Sequence, residues 1–466
     1  MTSNSDVAAT STSSLLSSPA VLSVFLKLSV PMAVGMLLNG VHTLVDAMFI
    51  ARFVGSDAFA AVSAVFPLQI ALVSLAALFS NGASVLLSRS LGAGRLQDCH
   101  RIIGTANSLA LGFALLVAIL TLFAGPWLLG EMGLSDKLYH HAWLYLMISG
   151  IGTIALFSLS LVADIHRGVG HSNVLFLTIL LGAVSNIALD AVFIIALNWG
   201  VAGAAFATLL SQCLAWLYAL RALGRMPSLR TALRPAWQSP WAKQIVLQGL
   251  PVTLMYLGGA LVMLTCTIQI ARLANMQGES LLAAYGILGR ISIFITLPMI
   301  AMTHSCQTMT AYHAGAGNLE LAGRSVKLAL LSISGYLSLM ALLLGLTMPA
   351  IAGMFSHDVM QINMASDIAQ VLYMALPIAG ISAVAIATMQ ALGKPGLALF
   401  VSMAKTYLFM IPLLVVLAWW AGLDVMWYAF PGAELMSVVL VTCLVVLNRQ
   451  SLWPTVTKEV AYAAGR

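Results

Sequence analysis

Residues 25–51 read FLKLSVPMAVGMLLNGVHTLVDAMFIA, and the only charged side chains in this run are Lys27 and Asp46. A transmembrane helix needs about 20 consecutive residues that are predominantly apolar. Within the hydrocarbon of a bilayer each backbone N–H and C=O must be paired inside the protein, and a helix supplies these partners from its own segment. The period-two alternation that a membrane β-barrel requires is missing from the stretch. We therefore predict a membrane-spanning α-helix here.

Eleven further apolar runs follow the first, which predicts twelve spans between residues 25 and 447. Over the 466 residues 61% are hydrophobic and 8% are charged, whereas a soluble protein has about 45–50% apolar and about 25% charged residues. This composition excludes a water-soluble fold. The five cysteines are scattered without a CxxC pair, so neither a disulfide framework nor a zinc site is predicted.

The positions of the basic residues predict how the spans are oriented. Of the 21 Lys and Arg residues, 16 fall in the loops after even-numbered spans or in the two tails, and three fall in the opposite loops. Cytoplasmic loops carry such an excess of Lys and Arg. Both termini are therefore predicted to be cytoplasmic. The same bias explains the net charge of +6, so no nucleic-acid partner is predicted.

An internal repeat divides the chain into two halves. Residues 91–95 (LGAGR) recur as residues 314–318 (AGAGN), and Pro31 recurs as Pro251, at offsets of 220–223 residues. Each repeat holds an even number of spans, so both begin on the same side and form parallel repeats about an axis along the membrane normal. The predicted domains are a disordered cytoplasmic tail 1–24, an N-lobe 25–224, a basic cytoplasmic linker 225–246, a C-lobe 247–447 and a cytoplasmic tail 448–466.

Polar side chains deep in the N-lobe spans are candidates for function, because a charged group near the bilayer centre is costly. Asp46 has Asn39 on the same helical face, and Asp190 has Asn186 one turn before it. Thr208 follows a run of small residues that permits close helix approach. We interpret these side chains as a buried cluster that binds H⁺ or Na⁺. The alternative is an interhelical hydrogen-bond network that only holds the lobe together.

The C-lobe does not repeat this cluster, since Cys266 stands at the position of Asp46. Its deep charged residues are Lys405 and Glu434, which could touch substrate but are predicted to pair with each other in a structural role. In the N-lobe Asp164 precedes Arg167 by three residues at a span end, which indicates an ion pair. The histidines His42 and His304 are expected to be hydrogen-bonded rather than to carry protons.

Several motifs together resemble those of the multidrug and toxic compound extrusion (MATE) transporters. These are residues 44–50 (LVDAMFI), 186–190 (NIALD), 200–205 (GVAGAA) and 430–434 (FPGAE), together with the repeated Gly-Ala-Gly loops. The resemblance covers roughly residues 25–447. It implies an all-α polytopic membrane protein of two six-helix lobes around a V-shaped central cavity. The missing central acids in spans 7 and 10 resemble the DinF-type branch, in which ion coupling is confined to the N-lobe.

Carried over residue by residue, the resemblance implies roles for seven side chains. The resemblance implies that ion coupling is carried out by Asp46, Asp190, Asn186, Asn39, Thr208 and Tyr145. It also implies that Pro31 bends the first span. A coupling Na⁺ would be held by Asp46, Asp190, Asn186 and Thr208. No catalytic residue is implied, and no cofactor is implied besides the coupling ion.

The predicted function is a secondary active antiporter of the bacterial inner membrane. It would act as a monomer and export small organic cations or amphiphilic drugs in exchange for H⁺ or Na⁺. A lipid or lipid-linked oligosaccharide flippase of the same superfamily is the alternative, but only Arg290 and Lys405 are basic and deep, and phosphate-bearing substrates favour a more cationic cavity. An enzyme is not predicted, because HExxH and GxSxG motifs are missing from the sequence.

Overall fold

A computed structural model describes residues 15–226, 228–229, 231–273, 278–448 and 450. Eleven helices are long and apolar enough to cross a membrane, and the count reaches twelve when one bent pair is taken as a single span. This agrees with the predicted all-α fold. In the N-lobe the helices are α1 Val21–Phe49, α2 Ser56–Gly92, α3 Leu96–Glu131, α4 Asp136–Gly168, α5 Ser172–Asp190 and α6 Gly200–Gly224.

The C-lobe repeats this order with more interruptions. Its first three helices are α7 Ser239–Leu273, α8 Gly278–Gly315 and α9 Leu319–Gly353. The next, α10, is the pair Val359–Tyr373 and Leu376–Ala391, which bends by 50°. The last two are α11, which runs Pro395–Met403 and Ile411–Ala421, and α12, which runs Leu423–Met426 and Ala429–Leu447.

Two predicted boundaries are wrong. The tail was expected to reach residue 24, but Leu16 is only 1% exposed and α1 begins at Val21. The linker was expected to reach residue 246, but α7 begins at Ser239. In both places apolar side chains that precede the hydrophobic run find partners in the bundle, and burial extends the ordered segment. Residues 1–14 and 451–466, which belong to the predicted tails, lie outside the described residues.

The repeated Gly-Ala-Gly loops have the same backbone conformation in both halves. Gly94 follows α2 with φ of 70°, and Gly317 follows α8 with φ of 74°. Positive φ is open to glycine because it has no Cβ. We call the end of the bundle that carries these two loops and the linker the basic end, because most Lys and Arg residues lie there.

The two lobes meet where α1 and α2 pack against α7 and α8. At the basic end, residues 78–88 of α2 and 305–313 of α8 are buried without interruption. An alanine Cβ at Gly92 would overlap the backbone carbonyl oxygen of Tyr312, and one at Gly315 would overlap that of Arg89. The lobes are therefore in direct backbone contact, and the molecule is closed at the basic end.

A second pair of glycines extends this contact from α2 to α7. A Cβ at Gly82 would overlap the carbonyl oxygen of Ile245, and one at Gly249 would overlap that of Leu78. Closer to the other end of α8, Gly286 and Gly289 have open space where a Cβ would stand. We name the contact formed by Gly82, Gly92, Gly249 and Gly315 the glycine seam.

Candidate functional site: an acidic pair in the N-lobe

The two predicted acids meet between α1 and α5. The carboxyl groups of Asp46 and Asp190 lie within hydrogen-bonding reach of each other, and Asp190 is 0% exposed. Two carboxylates have only acceptor atoms, so a hydrogen bond between them requires one shared proton. Oδ1 of each residue is buried and receives no hydrogen bond from a donor among the described residues. These oxygens can therefore accept a proton.

Asn186 connects the acids to the neighbouring helices. Its side chain is 0% exposed. The amide is satisfied when its nitrogen donates to Asp190 Oδ2 at 3.0 Å and to His42 Nε2 at 2.7 Å. Its oxygen then accepts from the backbone N–H of Thr208 at 3.2 Å. One amide thus joins α1, α5 and α6, because Asn186 sits one helical turn before Asp190 and faces the same neighbours.

Tyr145 reaches the same site from α4. Its side chain is 8% exposed, and its phenol lies close enough to Asp46 and Asp190 to interact electrostatically with both. The structure therefore brings together Asp46, Asp190, Asn186 and Tyr145, with the Thr208 side chain 3.4 Å from the Asn186 amide. It also adds His42, which the prediction left out of that set although it lies one turn before Asp46 on α1.

Asn39 is the predicted member that the structure leaves outside the site. Its side chain is exposed, and its backbone carbonyl accepts a hydrogen bond from Thr43 Oγ1 at 3.0 Å. Asn39 shares a helical face with Asp46 but lies seven residues away, about 10 Å along the helix axis. That distance is too long for a side chain of this size to reach the acids. The structure therefore places Asn39 outside the acidic pair, and its role in ion coupling stays a prediction.

Pro31 lies inside the uninterrupted helix α1, 15 residues before Asp46 and therefore about 22 Å from it along the axis. Its missing N–H leaves one backbone carbonyl of the preceding turn without a helical donor. Its role in helix bending stays a prediction.

Both acids are followed by a π-helical segment, which the sequence did not reveal. In α1 this segment is Ile50–Val54, and in α5 it is Ala191–Ala196, directly after Asp190. The two segments contact each other. π-Helical turns are rare and appear frequently at functional sites, because an extra residue in the turn redirects the side chains beside it. No residue pattern identifies such an insertion, so only the structure could show it.

The C-lobe pairs its deep charges as predicted. Lys405 Nζ lies 2.5 Å from Glu434 Oε1, with the two side chains 24% and 13% exposed. Lys405 belongs to a third π-helical segment, Ala404–Met410 of α11. Cys266, which stands at the position of Asp46, is fully buried. The C-lobe position that corresponds to Asp46 therefore holds no acid, and the deep charges of this lobe form an ion pair.

A buried polar network crosses the lobe interface near the glycine seam. Arg167 makes the predicted ion pair with Asp164, at 2.8 Å, and also donates to Gln307 of the C-lobe at 3.2 Å. Gln307 accepts from Asn81 at 3.3 Å and donates to Gln390 at 2.8 Å. Arg167 is 3% exposed. The interlobe half of this network was missed, because residues 140 positions apart share no local pattern.

The geometry can now be compared with known proteins. The MatE family model matches residues 31–192 and, separately, residues 251–416, once in each lobe. The chain belongs to the MATE family. The residues of the acidic pair lie inside the first of these matches. The assignment to the DinF-type branch stays a prediction.

Relatives over about nine-tenths of the chain are named as multidrug resistance, multidrug export or transporter proteins. The chain is 23% identical to the probable multidrug resistance protein YoeA of Bacillus subtilis (strain 168), over 90% of this chain and 92% of YoeA. It is 27% identical to the FAD transporter of Shewanella oneidensis, over 91% of this chain and 93% of that protein. MATE proteins are transporters, so the prediction that the chain is not an enzyme is confirmed.

The same fold is found in solved structures. A crystal structure of a MATE protein in complex with MaL6 superposes with a TM-score of 0.88. It is 22% identical and covers 95% of this chain and 98% of that one. The predicted arrangement of two six-helix lobes is therefore confirmed.

Proposed function

We propose that this MATE protein is a proton-coupled antiporter of the bacterial inner membrane that exports organic cations. The observation that carries the proposal is the direct approach of Asp46 and Asp190 in a buried site. This pair holds one proton when the carboxyl groups touch. When that proton leaves, two like charges face each other, a repulsion of about 4 kcal/mol at a separation of 4 Å and an effective dielectric constant of 20. Loading and unloading of the proton therefore drives α1 and α5 together or apart.

The arrangement favours H⁺ over Na⁺ as the coupling ion. A bound Na⁺ needs several oxygen ligands around it, and it would separate the two carboxylates. Here the two carboxyl groups lie within hydrogen-bonding reach of each other. When the Asn186 amide is oriented to satisfy its neighbours, its nitrogen faces Asp190, and a donor at that position competes with a cation for the carboxylate. Na⁺ at Asp46, Asp190, Asn186 and Thr208 is the alternative that the transport experiment below tests.

The proposed orientation places the basic end in the cytoplasm, as the positive-inside rule requires. The closed glycine seam then shuts the cytoplasmic side. Asp46 lies nine residues before Gly55, and therefore roughly 14 Å from the external end of α1. The acidic pair can take up a proton from outside in this state. Each positive charge that moves inward across the membrane releases a free energy of about 2.3 kcal/mol per 100 mV of membrane potential.

The proposal is tested by transport into and out of liposomes that contain the purified protein. Gradients of pH and of Na⁺ are imposed separately, and ethidium movement is followed by fluorescence. We expect exchange with the pH gradient alone, and we expect Asp46→Asn and Asp190→Asn each to abolish it. Asp57→Asn is the matched control, because Asp57 is an exposed acid in the first turn of α2. Full exchange by Asp46→Asn, or exchange driven only by the Na⁺ gradient, would contradict the proposal.

The substrate panel includes flavin adenine dinucleotide, because one relative is an FAD transporter. Organic cations are the proposed cargo. Export of the anionic flavin instead of organic cations would contradict the proposed substrate class. Movement of a labelled lipid by the same liposomes would support the flippase alternative. One chain supplies both lobes and the complete acidic pair, so the proposed transport unit is a monomer.

A further inference from the structure

A cavity of about 960 Å³ opens in the C-lobe at the end of the bundle away from the glycine seam. It lies between α7, α8, α10, α11 and α12. We call it the outer C-lobe cavity. Small-molecule sites in proteins have volumes of about 300–1,000 Å³, so it is large enough for a drug-sized ligand. It is in the other lobe from the acidic pair.

The position of this cavity follows from the internal repeat. Helices α1, α4, α5 and α6 build the acidic pair, and their counterparts in the second repeat are α7, α10, α11 and α12. All four counterparts line the outer C-lobe cavity. The residue that corresponds to Tyr145 at an offset of 223 is Ile368, which lines the cavity beside Asp367. The helices that hold the acidic pair in the first repeat thus have counterparts that border a cavity in the second.

The walls of the cavity are aromatic and apolar. Trp427 is 4% exposed and is held in place by Tyr285, with the two ring centroids 5.5 Å apart. Tyr428 and Trp419 also line the space, together with Leu281 and other apolar residues. An aromatic ring in the wall of a cavity attracts a cation that reaches its face.

The charge in the cavity has a single sign. Asp367 and Asp424 line it, and neither forms an ion pair with a described residue. Among the described residues no Lys or Arg lines the cavity. A cleft with carboxylates of one sign and low-dielectric walls focuses the field and raises the local concentration of cations. An anionic ligand, such as a lipid phosphate, is repelled by the same two groups.

We propose that the outer C-lobe cavity binds organic cations, with Trp427 as the aromatic wall and with Asp367 and Asp424 as the counter-charge. The inference rests on the proposed function, in which organic cations are the cargo, and it names where the cargo sits. The proton and the cargo then occupy sites in different lobes. Cations added from outside compete for these carboxylates.

The test measures binding of radiolabelled tetraphenylphosphonium to the full-length protein in nanodiscs. We expect the double variant Asp367→Asn with Asp424→Asn to weaken binding at least tenfold, and Asp424→Lys to weaken it further than Asp424→Asn. Each substituted residue is exposed, so the fold is retained, and helix content by circular dichroism verifies this. Raising the salt concentration should weaken binding to the wild-type protein more than binding to the double variant.

The matched control is the double variant Asp57→Asn with Asp136→Asn. These acids are also exposed and lie at the same end of the bundle, in the first turns of two N-lobe helices. The control removes the same charge, so an effect of surface charge alone would appear in both pairs. Equal binding by wild type and the Asp367/Asp424 double variant would overturn the proposal, as would an equal loss in the control.

The two proposals fail in different ways. Asp46→Asn should bind tetraphenylphosphonium as the wild type does while losing proton-driven exchange, because the acidic pair lies outside the cavity. Loss of binding in the Asp367/Asp424 double variant with intact binding in Asp46→Asn supports the cavity, whatever ion drives transport. Loss of binding in Asp46→Asn alone would place the cargo at the acidic pair and overturn the cavity proposal.

Discussion

The glycine seam predicts that one added methyl group on each lobe opens the basic end of the molecule. The change is Gly92→Ala together with Gly315→Ala. Both residues are helical and have no positive φ, so alanine fits their backbone and favours each helix by about 1 kcal/mol. The lobes themselves should therefore fold normally. Only the conformation in which α2 touches α8 is affected.

The size of the effect follows from the distances at the seam. A Cβ at Gly92 would lie 1.9 Å from the carbonyl oxygen of Tyr312, and one at Gly315 would lie 2.0 Å from that of Arg89. Close carbon–oxygen contacts between helices are about 3.3–3.6 Å, so α2 and α8 must move apart by roughly 1.5 Å. Overpacking of this kind costs about 1–3 kcal/mol. This cost applies only to the closed state, so the population of the closed state relative to the open state falls by a factor of about 5–150.

The assay is a distance measurement between spin labels on the two lobes. Gln97 and Glu320 are suitable label sites, because both are exposed and lie in the first turns of α3 and α9 at the basic end. The five native cysteines are first replaced. We expect the alanine pair to transfer population from the short distance to a longer one, and to slow ethidium exchange in liposomes.

Two glycines away from the seam provide the control. Gly112 in α3 and Gly335 in α9 have no atom within 4 Å of the position of an added Cβ. The pair Gly112→Ala with Gly335→Ala should leave the distance distribution unchanged. The reasoning is refuted if the seam variant and this control give the same distribution, because contact at the seam would then not limit closure.

Three further predictions concern the polar groups. Asn186→Leu removes the donor to the acidic pair, so we expect proton-driven exchange to be lost. We also expect thermal unfolding to show a destabilisation of about 1–3 kcal/mol. Retained exchange would contradict the role given to this amide. Gln307→Leu removes the hydrogen bonds that join the two lobes, so it should lengthen the spin-label distance. Ser382→Ala is the control, because it breaks a buried hydrogen bond inside the C-lobe and should leave the distance unchanged. Equal effects of the two variants would show that the network only stabilises the fold. Lys405→Met or Glu434→Gln alone leaves one partly buried charge unpaired and should lower the melting temperature, and the double variant should recover part of the loss. Additive losses in that cycle would mean that the pair contributes no coupling energy.

The sequence by itself determined the membrane-spanning helices, the two repeats and the two acids of the site. Each of these follows from a local physical requirement. Backbone pairing in hydrocarbon makes every long apolar run helical. The cost of a carboxyl group in such a run marks Asp46 and Asp190 as exceptional. Repetition at a fixed offset needs no knowledge of packing, and Gly94 and Gly317 confirm it by turning the chain in the same way.

Only the tertiary structure decided which neighbours meet. Asn39 and His42 lie on the same side of α1 as Asp46, yet His42 contacts Asn186 and Asn39 does not. Helical periodicity gives the direction of a side chain but not the height at which another helix crosses, and that height selects the contact. The π-helical segments, the glycine seam and the outer C-lobe cavity depend in the same way on how twelve helices pack. Packing is set by contacts between residues far apart in the chain, which no local pattern contains.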